Sequence, residues 1–197
     1  MTDLSFNGKN GTAVGGMTVG TAASHSGVAN GATNFDGVDD YVDFGDKAVF
    51  DFTTAFTIAL WLNIPSDTPD SYRGILAKYN ASTGYDLGLA NGLLNLSVRG
   101  SSQISTGNSG TTVRGRGYTH VVFTVTNSAI WRYIDGTADV APNPATGTWT
   151  SVAASGYSLQ IGHRNGGSTY LPAGISDVRI YNRALSQTEI TSLYNSN

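Results

Sequence analysis

The chain has 197 residues, a formal net charge of -3 and no cysteine, and these features exclude several kinds of function. Without cysteine it can form neither a disulfide framework nor a thiolate metal site. An acidic chain lacks the basic surface that attracts nucleic acid or an anionic membrane, so we expect neither as a partner. Its length fits a single domain, and no apolar run approaches the roughly 20 residues that span a bilayer.

Short strand-like runs separated by turn sequences make up most of the chain. Residues 1–30 are rich in Gly, Ser and Thr, and only "GTAVGG" there predicts a strand. The start, "MTDLSF", has neither the basic nor the apolar region of a secretory signal peptide, so we expect none in this chain. The later runs, enriched in β-branched and aromatic residues, are "ATNFD", "DYVDFG", "FTIALWLNI", "GILAKYN", "YDLGLAN", "LLNLSVR", "SQIST", "HVVFTVT", "AIWRYIDG", "YSLQIG" and "GISDVRIYN". So many short strands predict a β-sandwich or barrel.

One helix is predicted, in the final "ALSQTEITSLYN". Ser186 can act as its N-cap, and Glu189 three residues later completes a capping box. Ile190, Leu193 and Tyr194 then share one face of the helix.

The order of several motifs resembles the bacterial and phage type of laminin-G-like domain, which is a concanavalin A-like jelly roll. The motifs are "NGKNGTAVGG", "NFDGVDDYVDFGD", "FTIALWLNI", "ILAKYN", "HVVFTVT", "YIDGT", "LQIGHR" and, most specifically, "GISDVRIYNRALSQTEITSLY". The resemblance implies an all-β, two-sheet antiparallel β-sandwich with a short C-terminal helix, in one domain over residues 1–197. It also implies a module for binding or adhesion.

The beginning of the chain departs from that family pattern. Similar domains have an additional first strand that pairs with the strand corresponding to "DVRIY", whereas here the matching "DLSFNGKNGT" already begins at Asp3. A missing strand leaves an unpaired sheet edge. Either rearranged local chain covers this edge, or a strand from another subunit pairs with it.

The carboxylates argue against an enzyme. Glucanases of the same architecture resemble one another in placing two catalytic glutamates on one strand, but Glu189 is the only glutamate and lies in the predicted helix. Asp39 and Asp40 are adjacent, so in an extended segment they would point to opposite faces. No "GxSxG" elbow accompanies the histidines, and His120 lies within the strand "THVVFTV". We therefore expect a non-catalytic domain.

The acidic stretch "NFDGVDDYVDFGD" has two interpretations. Its aspartates can accept hydrogen bonds from backbone N–H groups in a turn, as short acidic side chains commonly do. Alternatively, Asp36 and Asp40, together with Asp177 from the C-terminal strand, hold a structural calcium ion, as many similar domains do. Calcium is bound by six to eight oxygen atoms, which a turn and a distant strand can supply together.

Loop aromatics, arginines and amides are the candidate ligand-binding residues. They are Tyr72, Arg73, Tyr79, Asn80, Arg114, Arg116, His163, Arg164, Asn165 and Tyr170. Aromatic rings stack on sugars, and guanidinium groups bind carboxylates or polar sugar groups. Alternation places Trp131 and Tyr133 on the opposite face of their strand from Arg132, and we expect both rings in the core or on a partly covered surface; Trp61 is predicted to be core.

These observations predict a recognition or adhesion module that binds a carbohydrate or cell-surface ligand. We expect it on a phage virion or a secreted protein, and hence outside the cell or on a virion surface. The alternative is a structural decoration or assembly protein of a virion, whose partners are the other subunits of a larger assembly.

Overall fold

The computed structural model describes residues 10–139, 144–152 and 156–196, which fold into two antiparallel sheets that pack face to face. In chain order, the strands are β1 (Thr12–Val14), β2 (Ala32–Asp36), β3 (Tyr41–Asp43), β4 (Phe56–Asn63), β5 (Arg73–Tyr79), β6 (Gly84–Ala90), β7 (Leu93–Arg99), β8 (Gln103–Ser105), β9 (Tyr118–Val125), β10 (Ala129–Ile134), β11 (Thr137–Ala138), β12 (Ala145–Thr146), β13 (Gln160–Ile161) and β14 (Pro172–Tyr181). A 3-10 turn covers Ala48–Phe50, and the helix α1 covers Gln187–Asn195. The predicted fold class is confirmed.

Alternation along the strands builds the core between the two sheets. The first sheet has the order β1-β3-β13-β5-β6-β7-β8, and the second has the order β11-β10-β9-β4-β14-β2, with β12 also paired to β10. In β6, Tyr85, Leu87 and Leu89 enter the shared core, so Asp86 and Gly88 lie on the opposite, outer face of the first sheet.

Helix α1 begins where the capping box was predicted. The backbone N–H of Glu189 donates to Ser186 Oγ at 3.3 Å, and the Glu189 carboxylate accepts from the Ser186 N–H at 2.8 Å. Arg183 makes two further bonds to this carboxylate, at 2.6 and 3.0 Å. Ile190 then packs against Ala59 on the outer face of the second sheet, so the helix covers that face. Within the described residues, no helix is long and apolar enough to span a membrane.

The helix also determines the surroundings of the tryptophan and tyrosine rings of the second sheet. Trp61 is buried as predicted, but it lies beneath α1, where it stacks on Tyr194 at 5.7 Å and on His25 at 4.1 Å, rather than between the sheets. Tyr133 is covered by the same helix, whereas Trp131 is 38% exposed. These two rings share the outer face, as alternation predicted.

Local chain covers part of the edge strand β2. The backbone groups of Ala22 and Ala32 exchange two hydrogen bonds, at 3.0 and 3.1 Å, and Asp40 Oδ2 accepts from the Asp36 N–H at 3.1 Å. The edge expected from a missing first strand is a different one, beside residues 177–181, because β2 pairs with β14 only from Pro172 to Ser176. The expected absence of a first strand concerns residues 1–9, which lie outside the described residues.

Candidate functional site

A group of arginine, tyrosine and aspartate side chains meets on the outer face of the first sheet. We call it the arginine–tyrosine cluster, and its members are Tyr72, Tyr79, Asp86, Arg99 and Arg164. The register of the sheet brings them together, since Tyr79 lies opposite Gly84 while Asp86 lies between Ala77 and Ser97 on the neighbouring strands. Loops on either side supply Tyr72 and Arg164.

Asp86 is the anchor of this cluster. It is only 5% exposed, and it accepts a hydrogen bond from Tyr72 Oη at 2.6 Å and one from Arg164 Nη1 at 3.3 Å. Burial raises the pKa of Asp86, although the Tyr72 hydrogen bond and the Arg164 charge act in the opposite direction. Both carboxylate oxygens already have partners, so the group orients Tyr72 and Arg164 on the face.

Two paired glycines make room for these side chains. Gly74 of β5 lies opposite Gly88 of β6. A Cβ atom at Gly88 would collide with the phenol of Tyr72, and a Cβ atom at Gly74 would collide with the backbone of Arg164. The absence of side chains at these positions therefore lets Tyr72 and Arg164 lie close against the sheet.

Two guanidinium groups lie over the ring of Tyr79. The Cζ atom of Arg99 is 5.2 Å from the ring centre, and that of Arg164 is 5.6 Å away. Arg164 Cζ also lies 4.6 Å from the centre of the Tyr72 ring. Such contacts hold planar cations against aromatic faces.

A row of rings continues the face beside the cluster. His163 stacks on Tyr170 at 4.3 Å and lies 5.4 Å from Tyr41. The His163 ring nitrogens are hydrogen-bonded to Gln160 Oε1 at 2.9 Å and to the carbonyl oxygen of Gly167 at 3.0 Å. His163 is thus held in place, and its ring packs against the partly exposed rings of Tyr41 and Tyr170.

The acidic turn between β2 and β3 brings three carboxylates together. Carboxylate oxygens of Asp36, Asp39 and Asp40 lie within 4.8 Å of one another. Asp36 Oδ1 accepts from the Val38 N–H at 2.8 Å, so the predicted backbone hydrogen bonds are present. Burial raises the pKa of Asp40, and the charges of Asp36 and Asp39 add to this effect. The expectation that Asp39 and Asp40 point apart does not hold here, because alternation applies to strands and these residues form a turn.

The structure does not bring Asp177 to this turn. Asp36 pairs with Pro172, and Asp177 lies beyond Ser176 toward the other end of β14. Five residues of extended chain separate Pro172 from Asp177, a distance of about 16 Å. Asp177 instead pairs with Arg179 at 2.8 Å, beside a register shift in β14. The predicted grouping of Asp177 with Asp36 and Asp40 is therefore wrong, and Asp39 is the third carboxylate at this turn.

Comparison with known proteins places this fold in a family. Residues 36–191 match the laminin G-type family model described as "Concanavalin A-like lectin/glucanases superfamily". The chain belongs to this family. No curated protein sequence matches this laminin G-type domain.

Solved structures with the same fold include binding domains of clostridial toxins. The binding domain of Paraclostridial Mosquitocidal Protein 1 is 16% identical with a TM-score of 0.74, and the match covers 99% of this chain and 49% of that one. The binding domain of botulinum neurotoxin serotype D is 13% identical with a TM-score of 0.71, covering 100% and 49%. A botulinum neurotoxin type C structure, described as dependent on two ganglioside molecules for cell entry, is 15% identical with a TM-score of 0.69, covering 96% and 47%. The laminin G-type domain thus spans about half the length of these chains.

Half of the predicted ligand-binding residues meet on the face described above. They are Tyr72, Tyr79, His163, Arg164 and Tyr170. Asn80 instead organises the β5–β6 turn, where its Oδ1 accepts from the N–H groups of Ser82 and Thr83 at 3.0 and 2.6 Å.

The remaining predicted residues have other surroundings. Arg73 is the first residue of β5, and Asn165 Nδ2 donates to the carbonyl oxygen of Ser158 at 3.0 Å. Arg114 pairs with Asp70 at 2.7 Å, and Arg116 pairs with Asp135 at 3.1 Å. Arg116 is thereby held at the turn between β10 and β11 of the second sheet, whereas the partner of Arg114 lies two residues before Tyr72.

Sequence reasoning missed Tyr41, Asp86 and Arg99 as members of this face. A signal for Asp86 was present, because alternation in "YDLGLA" places Asp86 and Gly88 together on the side opposite the apolar residues. The signal for Arg99 is weaker, since a charged residue at the end of a strand is ordinary.

Two shallow depressions lie away from the face. One has a volume of about 380 Å³ between the β10–β11 turn and α1, and its lining includes Gly136, Gln187 and Tyr194. The other, of about 290 Å³, is lined in part by Arg116 and Asp139.

Proposed function

We propose that this domain is a non-catalytic module that binds a carbohydrate or other cell-surface ligand through the outer face of its first sheet. The observation that carries the proposal is the arginine–tyrosine cluster, in which Arg99 and Arg164 lie over Tyr79, and Tyr72 and Arg164 lie against the paired glycines Gly88 and Gly74. Tyr79 is itself buried beneath the arginines, but the partly exposed rings of Tyr41 and Tyr170 suit stacking on sugar rings, and the guanidinium groups suit hydrogen bonding to their polar groups.

The structural neighbours support binding rather than catalysis, since they are binding domains. Further support comes from the carboxylates. Both oxygens of Asp86 are occupied, and Glu189 is engaged by Arg183 and Ser186, which hold its pKa at about 2. A glycosidase needs two carboxyl groups that face the substrate, whereas the oxygens of Asp86 and Glu189 are already engaged by protein donors. An extracellular or virion-surface location remains part of the proposal.

The proposal is tested by glycan-array binding of the monomeric protein and of the Arg164→Lys variant. Lysine keeps a positive charge near Asp86 but removes the planar group that lies over two tyrosine rings, so affinity for the best glycan is expected to fall at least about tenfold. Arg116→Lys is the matched control, since Arg116 pairs with Asp135 away from the face, and it should bind like the wild type. Absence of any glycan signal, together with a stable oligomer, would instead support the alternative of an assembly protein.

We propose in addition that the acidic turn binds calcium through Asp36, Asp39 and Asp40. The donor set fits, because three hard oxygen ligands lie within 4.8 Å of one another, and backbone carbonyls and water complete such sites. A bound ion would neutralise three neighbouring carboxylates and so stabilise the turn.

Thermal melting tests this calcium proposal. Calcium at about a hundred times its dissociation constant should raise the midpoint by several degrees relative to chelator, because an ion that binds the folded state alone stabilises it by about 2.7 kcal/mol. Asp39→Asn should abolish the shift while leaving the turn intact, since the hydrogen bonds of the turn are accepted by Asp36 and Asp40. Equal melting midpoints in calcium and in chelator would contradict calcium binding. The aspartates would then act only as acceptors of the backbone hydrogen bonds of the turn.

A further inference from the structure

A cluster of histidine and aromatic rings lies on the outer face of the second sheet, in contact with helix α1. His120 of β9 lies opposite Trp61 of β4, and the two ring centres are 5.0 Å apart. Tyr194 of the helix packs on both rings, at 5.9 Å from His120 and 5.7 Å from Trp61. His25, from the loop before β2, stacks on Trp61 at 4.1 Å and is hydrogen-bonded through Nδ1 to Ser176 Oγ at 3.1 Å. The docked helix thus helps to enclose His120.

Three buried ring nitrogens of this cluster have no hydrogen-bond partner among the described residues. They are His25 Nε2, Trp61 Nε1 and His120 Nδ1. His120 as a whole is only 3% exposed. A neutral imidazole keeps one nitrogen as an acceptor, whereas a protonated imidazole has two N–H donors and a charge, and both cost more to bury without a partner. The enclosure therefore suits His120 in its neutral form.

The two carboxylates whose charges act on His120 are already engaged by other donors. Asp135 Oδ1 accepts from the backbone N–H of His120 at 3.0 Å, and Asp135 Oδ2 accepts from Arg116 at 3.1 Å. Arg179 binds both oxygens of Asp177, at 2.9 and 2.8 Å. A proton on His120 Nδ1 therefore has no carboxylate of its own in the docked structure.

These surroundings lower the pKa of His120 to about 4, and burial is the largest cause. Charges act in both directions, since Asp135 and Asp177 raise this pKa while His25 and Arg179 lower it. A histidine that solvent reaches has a pKa of about 6.5. Acidification from neutral pH therefore favours any state of the chain in which solvent reaches the His120 ring.

Helix α1 is the part of this enclosure that opens at the lowest cost. It has nine residues, and isolated helices shorter than about 12 residues are marginal in water. Its attachment depends on the apolar contacts of Ile190, on the ring contacts of Tyr194, and on a hydrogen bond from Gln187 to the carbonyl oxygen of Gly136 at 2.7 Å. The sheet beneath it is held by continuous pairing of β4 with β9. A helix near the end of the described chain is therefore expected to open before the sheet does.

We infer that protonation of His120 releases α1 from the outer face of the second sheet, so that this helix is an acid-sensitive cover. With the helix released, water hydrates the charged imidazole, which the docked helix prevents. Release also exposes the apolar side chains of β4, β9 and β10 that the helix covers. The cover lies on the opposite side of the sandwich from the arginine–tyrosine cluster, so it is separate from the proposed ligand face.

Amide hydrogen exchange of the full chain, followed by NMR at pH 7.5 and pH 5, tests the inference. After correction for the intrinsic pH dependence of exchange, the amides of residues 190–194 should open on the order of 25-fold more often at pH 5, as pKa values of about 4 docked and about 6.5 released require. The amides of β5 and β6, in the other sheet, report global unfolding. At pH 5 they should stay at least about tenfold more protected than those of the helix.

His120→Phe keeps a ring against Trp61 and Tyr194 but cannot bind a proton, so the helix amides should lose their acceleration at pH 5. His25→Phe is the matched control, since it makes the same change at the other histidine of the cluster, and it should keep the acceleration. An acceleration that survives in His120→Phe, or helix amides that are as protected as those of β5 and β6 at pH 5, overturns the inference. If His120→Phe does not fold, NMR titration of the wild-type ring decides, because a pKa near 6.5 for His120 in the folded protein overturns it as well.

Discussion

Replacement of Asp139 by alanine is expected to lower the free energy of unfolding by about 3–5 kcal/mol, because it leaves a buried arginine without its counter-ion. Arg132 Nη2 lies 2.6 Å from Asp139 Oδ2, and both side chains are fully buried. Asp139 also accepts from the Gly110 N–H and from Thr111 Oγ1, each at 2.9 Å, so it connects the loop before β9 to β10. Burial alone would raise the pKa of Asp139, but Gly110, Arg132 and Thr111 lower it below its ordinary value.

Urea unfolding at neutral pH measures this effect. Asp70→Ala is the matched control, since Asp70 pairs with Arg114 at the surface and its side chain is 72% exposed. An exposed pair contributes about 0–1 kcal/mol, so the control should unfold nearly like the wild type. Asp139→Asn keeps the shape but not the charge and should also be strongly destabilised. If Asp139→Ala and Asp70→Ala lower the free energy of unfolding by similar amounts, the buried pair contributes no more to stability than the exposed pair.

Folding stability is also expected to fall as the pH drops from about 6.5 to about 4, because His120 is buried in its neutral form. Burial lowers the pKa of His120 to about 4, and its ring packs at 5.0 Å from Trp61 and 5.9 Å from Tyr194. Nearby charges modify this effect: Asp135 and Asp177 raise the pKa, whereas His25 and Arg179 lower it. The unfolded chain binds a proton in this pH window that the folded chain excludes, so the loss on acidification is on the order of 2 kcal/mol.

Denaturant unfolding between pH 7 and pH 5 tests the role of His120. His120→Phe keeps a ring against Trp61 but cannot titrate, so its stability should vary less over this interval than that of the wild type. Glu189→Gln is the control, because Glu189 has a pKa of about 2 in the folded protein and about 4.5 in its ordinary state. The contribution of Glu189 to folding stability is present above pH 4.5 and is lost as the pH falls toward 2. Above pH 5, the stability of the variant should therefore change with pH as that of the wild type does. A wild-type slope in His120→Phe would assign the pH dependence to other groups.

The candidate site was only partly predictable from the sequence. Tyr72, Tyr79 and Arg164 were recognised as loop aromatics and arginines suited to ligand binding, but their common location was not. Asp86 looked like one polar residue in an apolar strand, and its role depends on Tyr72 and Arg164, which are 14 and 78 positions away along the chain. Arg114 and Arg116 have the same residue type as Arg164, yet their ion pairs are with Asp70 and Asp135 and not with Asp86.

The sequence by itself determined the features that depend on neighbouring residues. The alternation of Tyr85, Leu87 and Leu89 specifies which face of β6 is buried, and Ser186 with Glu189 specifies where the helix begins, because both patterns act within a few residues. The tertiary structure alone decided which distant residues meet. Strand register moved Asp177 away from the acidic turn and placed Asp86 beneath Tyr72 and Arg164. Register results from the packing of whole sheets, and no short stretch of sequence contains that information.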